Sequence, residues 1–173
     1  MTAPRRVILA GYGNTPSEYG SQAGTFFRTG LARAACLYAA GERGRPQTDV
    51  AAWYVLSGWQ GVLPAHWTHP PTEGPPVVRR PARERDQWGC AVARWMLKDL
   101  PGEPLLLEVH DWAPVVRLVE RWAPRSWEVR SPDFGSTRRQ REAWYLPRLR
   151  ELPPLDVYGP LPSFSPARRR EST

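Results

Sequence analysis

Residues Ala51–Leu63 read AAWYVLSGWQGVL, an apolar run that breaks off at Ser57-Gly58 and meets a second glycine at Gly61. Trp53, Tyr54, Val55 and Leu56 are bulky or β-branched, and the run is too short for a core helix. It reads as a buried strand. Glycines at its carboxyl end allow a tight turn in which the backbone can approach a ligand closely. The rest of the chain is arranged around this stretch.

On its amino side, Arg5–Gly11 (RRVILAG) is a first strand, followed by a glycine-rich loop to Gly24 and a helix over Thr25–Ala40. Phe27, Leu31, Ala34 and Tyr38 recur at helical spacing, and Gly41 is placed to stop the helix. Strand, helix and strand at this spacing predict a parallel, right-handed βαβ unit. On the carboxyl side, Pro64–Pro81 holds six prolines and no helical period, so it reads as a long structureless loop. A helix over Arg83–Leu100 presents Trp88, Ala91, Val92, Trp95 and Met96 on one face. Pro104–His110 is the third strand, and Asp111 then reads as the N-cap of a helix carrying Val115, Leu118, Val119 and Trp122. Trp127–Arg130 is a short fourth strand. Ser136 or Thr137 caps a last helix that Pro147 should end or kink.

These elements predict an α/β fold: a three-layer sandwich with a mainly parallel sheet of about four strands and helices on both faces. Residues 1–151 form one domain. From Leu152 onward, proline and arginine dominate, which predicts an extended or disordered tail.

Of the 24 basic residues only Lys98 is a lysine, and the net charge is +7. A GC-rich genome produces such an arginine bias without any physical advantage. Whatever its origin, the charge favours polyanions, and guanidinium groups suit bidentate phosphate contacts. Cys36 and Cys90 fall inside predicted helices and read as small core residues, not as a disulfide or metal pair. His66 and His69 lie in the proline loop without a third ligand, so no metal and no cofactor is expected. No apolar run is long enough for a membrane span, and Met1–Arg6 leads straight into a strand, so a cytoplasmic protein without a membrane partner is expected.

Ligands of open α/β sheets bind at the carboxyl ends of the strands. That rule collects Gly11–Asn14 (with Gly13) after the first strand, Ser57–Gly61 (with Gly58) and then His66 after the second, and His110, followed by Asp111, after the third. The loop after Gly11 has neither the GK[ST] of a phosphate loop nor a proper G-x-G-x-x-G. Arg138, Arg139 and Arg141 open the last helix, where cations are unfavourable beside the helix dipole unless they are solvated or face an anion. With the glycine turns they form a candidate phosphate-binding set.

The central WYVLSGWQGVL resembles the ILSGLYGLL or ILSAKHGLV signature of the YaaA-like peroxide-stress proteins and their smaller relatives. The FFRTGLARAACLYAA helix is similar to that family's LFRKARAYAE helix. The order of the later parts agrees: a long loop, a helix marked by Trp88, a strand ending near His110, and a last helix around Gln140. In the first loop, where relatives often carry Cys and Lys, this chain has Gly-Tyr-Gly-Asn-Thr. The resemblance covers roughly Val7–Leu149. It implies a sheet like that of uracil-DNA glycosylases, with nucleic acid or nucleotide handled at one face, in stress response or genome defence.

The expectation is therefore a domain that binds or processes DNA or RNA, with an N-glycosidic bond as the candidate point of attack. In that chemistry Asn14, His110 and Asp111 would orient or polarise base and water, and Trp59 or Trp67 would stack an extruded base. Three alternatives stay open: a non-enzymatic DNA- or RNA-binding module, a small-nucleotide hydrolase or transferase, and a protein whose proline-rich tail docks a partner. The oligomeric state is not legible.

Overall fold

The computed structural model describes residues 5–11, 30–64, 75–100, 105–111 and 113–152. In chain order these form β1 (Arg5–Gly11), α1 (Gly30–Gly44), β2 (Val50–Ser57), β3 (Gly61–Pro64), a 3-10 turn (Val77–Arg79), α2 (Ala82–Asp99), β4 (Leu105–His110), α3 (Ala113–Trp122), β5 (Glu128–Arg130) and α4 (Arg138–Arg150). The strands make one α/β sheet in the order β3-β2-β1-β4-β5. β1 pairs in parallel with both β2 and β4, β4 pairs in parallel with β5, and β2 pairs antiparallel with β3.

Side-chain alternation along the strands divides the core. Val7 and Leu9 of β1 join Leu56, Leu107 and Val109 in a cluster with Trp88, Val92 and Met96 of α2 and Val115 and Val119 of α3. Ile8 and Ala10 point the other way and join Val55 and Leu63, with Ala32, Ala35, Cys36 and Ala39 of α1 and Tyr145 of α4. The period-two pattern of VILA therefore sets which helices each face receives. Burying one such Val, Leu or Ile is worth about 1.5–3 kcal/mol.

The sheet has five strands because Gly61–Pro64 turns back on β2. Ser57 opposes Gly61 and Tyr54 opposes Pro64. Gly61 sits at φ +84°, the left-handed region that favours glycine, which makes the reversal possible. Proline at the end of an edge strand leaves no ladder donor missing.

Several local expectations are corrected. Gly41 does not stop α1, which continues to Gly44. Its missing side chain makes room for Leu152, which would collide with a Cβ there. The proline stretch is not structureless throughout: Val77 is buried and its N–H donates to Gly58 O at 2.8 Å. On α2, Ala91 faces outward, while Gly89 and Ala93 join the buried side. Pro147 lies inside α4 and does not end it. The Arg148 guanidinium donates to the Trp144 carbonyl at 2.8 Å and stacks over its ring at 3.9 Å, bracing the helix at that point. Cys36 is buried, Cys90 is half-buried, and both are free thiols. Among the described residues, no helix is long and apolar enough to cross a membrane.

Candidate functional site

The chain reverses its direction across the sheet between β1 and β4. From β1 it moves through α1 to β2 on one side; from β3 it returns through α2 to β4 on the other. α1 covers one face and α3 the opposite one, so the helices that follow β1 and β4 in the chain lie on opposite faces of the sheet. In open α/β sheets such a switch point forms the ligand crevice. Gly11 and Asp111 stand there. Asp111 is buried, and any side chain on Gly11 would collide with its carboxylate.

Beneath the switch point runs a buried polar chain. Arg6 of β1 donates through Nη2 to Glu108 Oε1 at 3.2 Å and to the Tyr38 hydroxyl at 3.1 Å. Its Nη1 reaches Asp49 at 3.0 Å and Glu42 at 3.3 Å. Glu108 Oε1 also lies 2.6 Å from His110 Nε2, and its Oε2 accepts from Arg130 at 3.3 Å. His110 Nδ1 lies 2.8 Å from the Tyr145 hydroxyl.

These bonds fix the protonation states. Burial pushes the Glu108 carboxyl up, but the hydrogen bonds from His110 and Arg6 and the Arg6 charge outweigh it and bring it down to about 2. An ionised carboxylate only accepts, so His110 Nε2 carries the proton and Nδ1 accepts from Tyr145. Burial pushes the imidazole pKa down against the pull of Glu108, and pushes the Tyr145 phenol well up. Tyr38, Phe134, Trp144 and Tyr145 surround the imidazole, all with ring centroids within 6 Å of it.

The candidate residues therefore fall into distinct places. His110 has a fully buried side chain with both nitrogens engaged, below the rim and not on it. Asp111 stands two residues ahead of α3 and against Gly11. The Ser57 hydroxyl is taken up by its own turn: it accepts from the N–H groups of Trp59 and Gln60, both at 3.2 Å, and meets Gln60 Oε1 at 3.0 Å. Trp59 is half-buried against the α1-side cluster. Gly58 lies against Pro76 and Val77, and Gly61 lies against Val92. Gly13, Asn14 and Trp67, together with His66 and His69, lie outside the described residues.

Thr137 is the cap of α4. It forms a capping box with Gln140, whose N–H donates to the Thr137 hydroxyl at 3.2 Å. Arg138 and Arg139 are exposed, and Arg138 pairs with Glu142 at 2.7 Å. Arg141 lies over Phe134 at 5.6 Å, and Phe134 in turn packs against His110. The first turn of α4 thus stands beside the carboxyl end of β4. Position in the sequence points to these arginines and to His110, but not to Arg6, Glu108 and Tyr145. A lone acid inside LLLEVH was the available signal, since a carboxylate in a buried strand requires a partner.

Comparison of the chain with protein-family models, with curated proteins and with solved structures finds no match.

Proposed function

We propose that this chain is a nucleic-acid-binding domain, a three-layer α/β sandwich whose ligand lies along the carboxyl ends of β1 and β4. The observation that carries this reading is the switch point at Gly11 and Asp111 with the arginines of α4 beside it. Net charge of +7 and the resemblance to YaaA-like proteins support the same class of ligand. On that resemblance the domain serves stress response or genome defence in the cytoplasm. Cleavage of an N-glycosidic bond would draw on Asp111 at the rim, with His110 behind it as a positioning residue.

Binding of single-stranded DNA, duplex DNA and RNA across a salt series tests the reading. Phosphate contacts make log K fall linearly with log salt. Affinity that falls steeply supports it, and absence of polynucleotide binding at 50 mM salt overturns it. The switch point also favours a second reading, a mononucleotide held at Gly11. Tight mononucleotide binding without polynucleotide binding would establish that one instead.

A further inference from the structure

Four arginines that the candidate set did not include, Arg79, Arg80, Arg83 and Arg85, gather where the chain enters α2. The structure fixes this entry at the carboxyl end of β2. Val77 N–H donates to Gly58 O at 2.8 Å, Arg80 N–H donates to Val77 O at 3.1 Å, and the Trp88 indole donates to Ser57 O at 3.0 Å. Arg79 and Arg83 are exposed. Arg80 is half-buried, with its Nε held on the Pro75 carbonyl at 2.8 Å, so its guanidinium is fixed at one end. No carboxylate among the described residues pairs with these three, whereas Arg121, Arg130 and Arg138 each have one. A fixed guanidinium loses less freedom on binding an anion than a mobile one.

A second set without a carboxylate partner among the described residues, Arg139 and Arg141, stands at the start of α4. The two sets flank the same end of the sheet, one beside β2 and one beside β4, with β1 between them. Two strand spacings alone amount to about 10 Å. α2 and α4 also pack on opposite faces of the sheet, which widens the gap. Separated in this way, the two sets suit successive phosphates of one chain.

We propose that Arg79, Arg80 and Arg83 form a second phosphate-binding point, and that a polynucleotide strand crosses the carboxyl rim of the sheet from this point to Arg139 and Arg141. The proposal rests on the rim being a nucleic-acid site and specifies its ligand as a strand, held at both ends of the crossing.

Oligothymidylates of two to twelve nucleotides, titrated against the full chain over a salt series, provide the test. For single strands each lost phosphate contact lowers the slope of log K against log salt by about 0.7. Arg79→Ala/Arg83→Ala and Arg139→Ala/Arg141→Ala should each lower it by about 1.4, two contacts at that value. Each should also remove the gain in affinity between short and long oligonucleotides. Arg94→Ala/Arg150→Ala, two exposed arginines away from the rim, should leave the slope unchanged. An Arg79→Ala/Arg83→Ala variant with the parent slope, beside an Arg139→Ala/Arg141→Ala variant that loses it, overturns the second point and leaves the rim reading standing. A control that loses as much as the rim variants overturns the proposal in favour of diffuse charge. Absence of binding by the parent chain at 50 mM salt overturns the rim reading itself.

Discussion

His110 Nε2 lies 2.6 Å from Glu108 Oε1, two residues back on the same face of β4, with the imidazole fully buried and the carboxylate nearly so. One oxygen therefore receives both His110 and Arg6, and the histidine is held neutral between a carboxylate and a tyrosine.

Stability should fall on acidification in two stages. Burial lowers the His110 pKa in the folded state, so the unfolded chain takes up a proton near its ordinary 6.5 while the folded chain does not. Stability is lost as pH falls from there to the folded value. Glu108 is held at about 2, so a second loss begins near the unfolded carboxyl value of about 4.3 and continues down to the folded one. Melting temperature measured from pH 8 to pH 3 should drop through the first window and begin to drop again in the second. An NMR titration should show one histidine resonance, absent in His110→Gln, with a midpoint below 6.5.

Glu108→Ala should destabilise the chain by about 3–5 kcal/mol, because it breaks a buried pair and leaves the Arg6 charge under-compensated. The Arg6 and Glu108 side chains are 10% and 6% exposed. Asp49 also pairs with Arg6 but is 63% exposed, so Asp49→Ala should cost only about 0–1 kcal/mol. Urea denaturation of the two variants side by side reads the contrast. Equal losses would show that burial does not govern this network.

Tyr145→Phe keeps the ring packed against its aromatic neighbours but removes the donor to His110 Nδ1. A buried acceptor left without a partner costs about 1–3 kcal/mol. The urea midpoint should fall with the slope unchanged. A midpoint equal to that of the parent chain would show that the bond contributes nothing.

Gly89→Ala should destabilise although alanine is the better helix former by about 1 kcal/mol. A Cβ at Gly89 would lie 2.5 Å from Trp122 Cδ1 and 2.9 Å from its Nε1, so the indole or the helix must move. Overpacking of this kind costs about 1–3 kcal/mol. Trp122→Leu in the same chain should recover part of the loss, a coupling that a double-mutant cycle of thermal melts measures.

The α/β class was legible because VILA in β1 and WYVL in β2 are apolar runs of strand length, and because α2 repeats its large residues at helical spacing. β3 was not legible: four residues carry no periodicity of their own, and only pairing with β2 makes them a strand. The end of α1 was misread at Gly41 because glycine stops a helix in isolation. Here it is retained inside one, where Leu152 needs the space. The reading of the site divides in the same way. Position at the strand ends is what groups Gly11 with Asp111, which the fold brings into contact, and first-turn position is what groups the arginines of α4. The burial of His110 depends on Tyr38 and Tyr145, from two helices distant in the chain.

The sequence carries the alternation of strands and helices in local pattern, since hydrophobic period and the positions of proline and glycine act over a few residues. It also determined the surplus of arginine. Packing across the whole sheet decided that β4 pairs with β1 and not with β2, which creates the switch point. It likewise decided that Arg6, Glu108, His110 and Tyr145 share one buried chain. Those arrangements bring together residues about a hundred positions apart, such as Arg6 and Glu108. Partners so distant are set by how both faces of the sheet are covered, which no local pattern encodes.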